Sequence, residues 1–148
     1  VPNDFLNSGE AINKLLGKKT EIEKLLEKGM EKALLIIDRD AKIECTDSVD
    51  EGRLRASLGY DIESNEDEVR GRYGTNLDYA PYIHQGTGIY AIDGNGRKTP
   101  WFWEGDSVKW EGKHLTRGQK PNPFIQKAID KNRDKISEIF KETMEGLK

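Results

Sequence analysis

Tyr79-Ala80-Pro81-Tyr82-Ile83-His84-Gln85-Gly86-Thr87-Gly88 stands near the middle of the chain and concentrates its special residues. Pro81 is placed to start a turn of helix, with Asp78 or Asn76 upstream as a cap. Tyr79, Tyr82 and Ile83 fall at i, i+3 and i+4 and so share one helical face. Gly86 and Gly88 can end the turn in conformations that other residues resist. The spacing predicts a structural corner, with His84 and Gln85 as the residues on it able to bind or catalyse.

Outward from this corner lie two long charged helical patterns. On the N-terminal side, Thr20 and Glu23 have capping-box spacing. Ile22, Leu25, Leu26, Met30, Ala33, Leu34, Ile37, Ala41 and Cys45 then recur every three or four residues, predicting a helix from about Thr20 to Cys45. Its most apolar stretch, 33–37, is expected to be the most deeply buried. Residues 1–17 read as a separate short helix weakened at Gly17. On the C-terminal side, Asn122 is the candidate cap and Pro123 the first residue of a helix. Phe124, Ile125, Ala128, Ile129, Ile136, Ile139, Phe140 and Met144 give it an apolar stripe, and Gly146 ends it.

Between the helices the period changes. Residues 46–52 read as a loop, and Arg53-Leu54-Arg55 fits either a strand start or a helical turn. Alternation through Leu58, Tyr60 and Ile62, then turn residues Ser64-Asn65-Glu66-Asp67, then Val69 to Thr75 predict an antiparallel hairpin of about 57–64 with 68–75. Asp93-Gly94-Asn95-Gly96 is a turn without the ligand spacing of a calcium loop. Residues 100–104 and 107–110 predict a second hairpin through Gly105-Asp106, with Trp101, Trp103 and Trp110 on one sheet face. Residues 112–122 read as a polar loop. The expected fold is α+β: a long N-terminal helix and a C-terminal helix packed on a central antiparallel sheet built from hairpins. It is expected as one domain spanning 1–148, with 1–19 a flexible or separately packed N-terminal segment.

Composition narrows the function classes. Hydrophobic and charged residues each make up 34% of the 148 residues, a polar balance that suits a subunit completed by neighbours. Residues 46–106 hold 12 acids and 6 bases, whereas residues 107–148 hold 6 acids and 10 bases. Such an acidic middle and basic end can complement one another between copies. The single cysteine, Cys45, excludes an internal disulfide and reads as a core residue. No apolar run has membrane-spanning length, and no signal-peptide pattern is present, so a cytoplasmic origin is the default expectation. The two histidines, His84 and His114, lack metal-ligand spacing. Phosphate-loop, dinucleotide and nucleophile-elbow motifs are missing.

Three segments carry a resemblance. Asp50-Glu51-Gly52-Arg53-Leu54-Arg55-Ala56-Ser57-Leu58 resembles the D-x-G-x-L-x-x-S element of the phage tail-completion, or head–tail joining, family, the gene-product-ten-like tail component of long-tailed phages. Gly74-Thr75-Asn76 followed by Tyr79 to Gly88 is similar to its central signature. Thr116-Arg117-Gly118-Gln119-Lys120-Pro121-Asn122-Pro123-Phe124-Ile125 is similar to its closing signature. The three occur in family order. Many relatives carry an acidic residue and an aromatic where this chain has His84-Gln85.

The resemblance implies a structural virion protein with no catalysis and no cofactor. Such a protein forms a homo-oligomeric ring, commonly hexameric, at the head-proximal end of the tail. It joins the tail tube to the head connector or stopper, leaves a passage for DNA, and is made in the host cytoplasm. Gly52, Leu54, Ser57, Tyr79, Pro81, Tyr82, His84, Gln85, Gly86, Thr87, Gly88, Gly118, Gln119, Pro121, Pro123 and Phe124 are then the assembly candidates. Tyr79, Pro81 and Tyr82 are expected to hold the corner against the long helix, and His84 to Gly88 to meet a neighbour. Two other readings are a tryptophan-based module for carbohydrate or single-stranded nucleic acid and a small hydrolase using His84 or His114.

Overall fold

The computed structural model describes residues 3–45, 51–105 and 108–147, with side chains from residue 9 onward except at 51. The loop expected at 46–50, Asp50 of the first signature, and Asp106 and Ser107 of the second hairpin lie outside the described residues. The element order is α1 (Asn3–Glu44), α2 (Glu51–Ser57), β1 (Gly59–Ser64), β2 (Val69–Gly74), α3 (Ala80–Gln85), a 3-10 turn (Gly88–Tyr90), β3 (Trp101–Gly105), β4 (Gly112–Thr116) and α4 (Phe124–Glu145). The fold is α+β, with a long N-terminal helix, a C-terminal helix and two antiparallel hairpins. The strands form two separate two-stranded sheets.

The N-terminal half corrects the sequence reading. One helix of 42 residues replaces a short helix followed by a longer one. Thr20 lies inside it and donates its hydroxyl to the Leu16 carbonyl at 3.2 Å, so no capping box forms. A lone glycine costs a helix only about 1 kcal/mol, and the neighbours of Gly17 are strong helix formers. A break there would instead leave unpaired backbone groups at two new helix ends.

The chain divides into two compact units: residues 1–39, 59–73 and 130–148 in one, residues 40–58 and 74–129 in the other. In the first unit the core holds Ala33, Leu34 and Ile37. Leu35 is half exposed, so the 33–37 stretch is buried on one face only. Two glycines set the helix contacts. A Cβ on Gly71 of β2 would fall 2.5 Å from Met30 Sδ, and one on Gly29 would fall 3.1 Å from the Phe140 ring. Each glycine therefore lets a backbone approach closely. Tyr73 donates its hydroxyl to Asp38 at 3.1 Å, joining β2 to α1. The Asn65 carboxamide closes the hairpin tip by accepting the Asp67 and Glu68 amides.

In the second unit the core is Ala41, Cys45, Leu54, Leu58, Ala80, Ile83, Phe124 and Ala128. These residues lie in α1, α2, α3 and α4, or, for Cys45 and Leu58, directly after α1 and α2, so helix faces supply most of the burial. The Arg53-Leu54-Arg55 ambiguity resolves as helix, since all three lie in α2, with Leu54 at 0% exposure and both arginines exposed. β3 pairs with β4 in the register Trp101–Thr116, Phe102–Leu115, Trp103–His114, Glu104–Lys113 and Gly105–Gly112. The returning strand is thus 112–116, within the stretch expected to be a polar loop, and residues 108–110 form part of the turn. Lys113 and Leu115 alternate outward with Gly112, His114 and Thr116 half buried. That pattern is a strand's, but polar side chains disguise it.

Candidate functional site

The corner at Tyr79–Gly88 is built from the backbone up. Tyr79 occupies the cap position of α3 in helical geometry, and no side chain caps it. Asn76 and Asp78 are therefore not the cap expected from sequence. The polar group just upstream is Thr75, whose hydroxyl accepts the Leu77 amide at 3.1 Å and bonds the Ser57 hydroxyl at 2.6 Å. Pro81 sits in the first turn, where a missing N–H costs nothing.

The buried face of α3 is Ala80 and Ile83, with Tyr79 half buried beneath the Arg53 guanidinium, 6.0 Å from its ring. Tyr82 is 62% exposed. It lies one residue, about 100° of helix, from Ile83, so the apolar side turns past it. Of the three residues expected to hold the corner, Tyr79 is half buried and Pro81 and Tyr82 are exposed.

The glycines after α3 meet a second segment from far along the chain. The Thr87 amide donates to the Gln119 carbonyl at 2.9 Å, the Ile89 amide to the Arg117 carbonyl at 3.1 Å, and the Asn122 amide to the Ile83 carbonyl at 2.9 Å. The Gln119 amide returns a bond to the Thr87 hydroxyl at 2.9 Å. Gly86, Gly88 and Gly118 have φ of 77°, 61° and 124°. A Cβ on Gly88 would strike the Arg117 carbonyl, and one on Gly118 the Thr87 carbonyl. Both the dihedrals and the space thus demand glycine. Gly86 and Gly88 are buried within the chain, which leaves Pro81, Tyr82 and Gln85 as the exposed part of the corner.

The remaining signature residues lie in the same unit. Ser57 donates its hydroxyl to the Leu54 carbonyl at 2.7 Å while holding Thr75. Gly52 is exposed and has no neighbour within 4 Å of a notional Cβ. Pro121 and Pro123 are half buried, and Phe124 is 1% exposed. The Pro123 carbonyl accepts the Lys127 amide, so α4 starts with Pro123 at its edge. The Asn122 carboxamide does other work: it donates to the Glu44 carbonyl at the end of α1 and accepts the Lys127 ammonium, each at 2.9 Å.

His84 lies edge-on to Phe124, with ring centroids 5.5 Å apart, and partial burial pushes its pKa below the ordinary value. Together with Leu77, Ala80, Pro81 and Ile125, these rings line an open groove of about 370 Å³. His114 stacks on Trp103 at 4.8 Å and meets the Trp110 carbonyl at 3.0 Å through Nε2. Cys45 is buried and donates its thiol to the Lys42 carbonyl at 3.3 Å. Among the described residues no three His, Cys, Asp or Glu side chains gather as a metal site, and no helix is long and apolar enough to cross a membrane.

A comparison of the chain with family models, curated proteins and solved structures returned no match. Sequence reasoning missed the Thr87–Gln119 and Asn122–Glu44 links. Their only signal is a Gly-x-Gly and an Arg-Gly-Gln some thirty residues apart, which no local pattern connects.

Proposed function

We propose that this chain is a structural subunit of a phage tail-completion ring, joining the tail tube to the head connector with a passage for DNA. One observation carries the reading. The three segments on which the resemblance rests, separate in sequence, meet in one compact unit: the first touches the second through Ser57 and Thr75, and the second pairs with the third through Thr87 and Gln119. Ser57, Thr75, Thr87, Thr116 and Asn122 of these segments bond backbone or one another, as expected of a scaffold. Exposed apolar side chains, Tyr82, Ile89, Ile92, Phe102, Val108 and Leu115 among them, crowd the same unit, and such surfaces in a polar chain mark protein contacts. The tryptophans suit a stacking module less well, since Trp103 already stacks on His114 and Arg97 stands 5.5 Å over Trp101.

Deletion of the gene from a phage that encodes it is the test. The expected outcome is filled heads and finished tails that stay separate, with infectivity restored by adding the purified chain to the lysate. Joined, infectious particles formed without the protein would overturn the proposal.

A further inference from the structure

The β3–β4 hairpin has two unlike faces. Trp103 and His114 are cross-strand partners stacked on one face, with the edge of the His114 ring against Trp110 at 6.0 Å. That face carries the chain's own stacked aromatic side chains, with Trp103 keeping 38% exposure. Strand alternation puts Phe102, Glu104, Lys113 and Leu115 on the other. Phe102 is 65% and Leu115 62% exposed. Glu104 and Lys113 are exposed as well, and among the described residues neither has an ion-pair partner. A two-stranded hairpin is marginal alone and gains from a covered face.

We propose that this face packs on the same face of a second copy of the chain, about a two-fold axis parallel to the strands. The register decides the occupant. Phe102 lies opposite Leu115 and Glu104 opposite Lys113. A two-fold rotation parallel to the strands lays β3 of one copy over β4 of the other at the same height. Phe102 then meets Leu115 of the second copy, and Glu104 meets its Lys113; the contact is self-complementary in apolar surface and in charge. A partner of one charge sign would set a like charge against Glu104 or Lys113, and a purely apolar partner would desolvate both without pairing. The face is small beside the roughly 800 Å² per partner of a stable complex, so the dimer is weak and concentration-dependent. A two-fold contact joins like surfaces, whereas ring neighbours join unlike ones, so the inference does not rest on the ring.

Sedimentation velocity of the full chain over a concentration series at low salt is the test, with Glu104→Lys and Lys113→Glu made separately. The wild type is expected to show a dimer that grows with concentration and shrinks with added salt. Each variant alone presents like charges to its copy and is expected to lose that dimer. An equimolar mixture of the two is expected to recover it as a heterodimer, because each face then meets its complement. Far-UV circular dichroism and thermal melts identify variants that fold; Phe102→Gln supplies a charge-neutral check and also loses the dimer. A wild type that stays monomeric throughout, a mixture no more associated than its components, or larger assemblies indifferent to both charge changes would each overturn the contact.

Discussion

Thr87 and Gln119, 32 residues apart, are joined twice: the Thr87 amide donates to the Gln119 carbonyl, and the Gln119 amide donates to the Thr87 hydroxyl, both at 2.9 Å. Loss of the hydroxyl leaves a part-buried N–H without its acceptor. Thr87→Val is therefore expected to cost about 1–3 kcal/mol, with Thr87→Ser keeping most of the stability. Urea denaturation of the three proteins checks this; equal midpoints for wild type and Thr87→Val would show that water replaces the bond at no cost.

The glycines around this link differ in a way that substitution can read. A Cβ on Gly88 or Gly118 meets a carbonyl of the facing segment as well as an unfavourable dihedral. Gly94 has a φ of 73° but open space around it. Gly94→Ala should cost about 1–2 kcal/mol, the left-handed penalty alone. Gly88→Ala and Gly118→Ala should each exceed that by about 2 kcal/mol or more, because the two segments must part. Thermal melts that rank all three alike would contradict the close packing.

Legibility from sequence followed the range of the signal. The α4 stripe from Phe124 onward and the first hairpin were readable because hydrophobic period and turn residues are local. Three departures have physical causes. Gly17 suggests a weakened helix, yet one glycine is too cheap to divide a helix of good formers. Lys113, His114 and Thr116 hid a strand, because an exposed hairpin needs no apolar alternation. Asn122 looked like a cap, but its carboxamide is drawn 78 residues back to the Glu44 carbonyl. Of the candidate site, the positive φ of Gly86 and Gly88 was foreseeable from residue type. The partner segment was not, since nothing in a single sequence ties Thr87 to Gln119.

His84 provides a pH test. Burial against Phe124 lowers its pKa in the folded chain below the ordinary 6.5. Below that pH the unfolded chain takes up the proton more readily than the folded one. The neutral ring's favourable contribution is thus complete above pH 6.5 and is lost as pH falls through the lower, folded value. Stability measured from about pH 7.5 to about 5 should fall more steeply in the wild type than in His84→Gln. An NMR titration placing the folded His84 pKa at or above 6.5 would contradict the burial.

The exposed first part of α1 gives a prediction of the opposite sign. Residues 9–21 are exposed on every side, including Ile12, Leu15 and Leu16, and nothing lies within 4 Å of a Cβ placed on Gly17. Helix there is held mainly by backbone bonds and intrinsic preference, so the glycine acts through conformational entropy without any packing term. Gly17→Ala should stabilise this stretch by about 0.5–1 kcal/mol, slowing amide exchange of its neighbours by roughly two- to fivefold. The global melting midpoint should move little, because the buried faces of Ala33, Leu34 and Ile37 are untouched. Hydrogen-exchange mass spectrometry on peptides covering residues 9–21 separates the two effects. Unchanged exchange in that window would mean that the helix around Gly17 is held by something other than its own backbone.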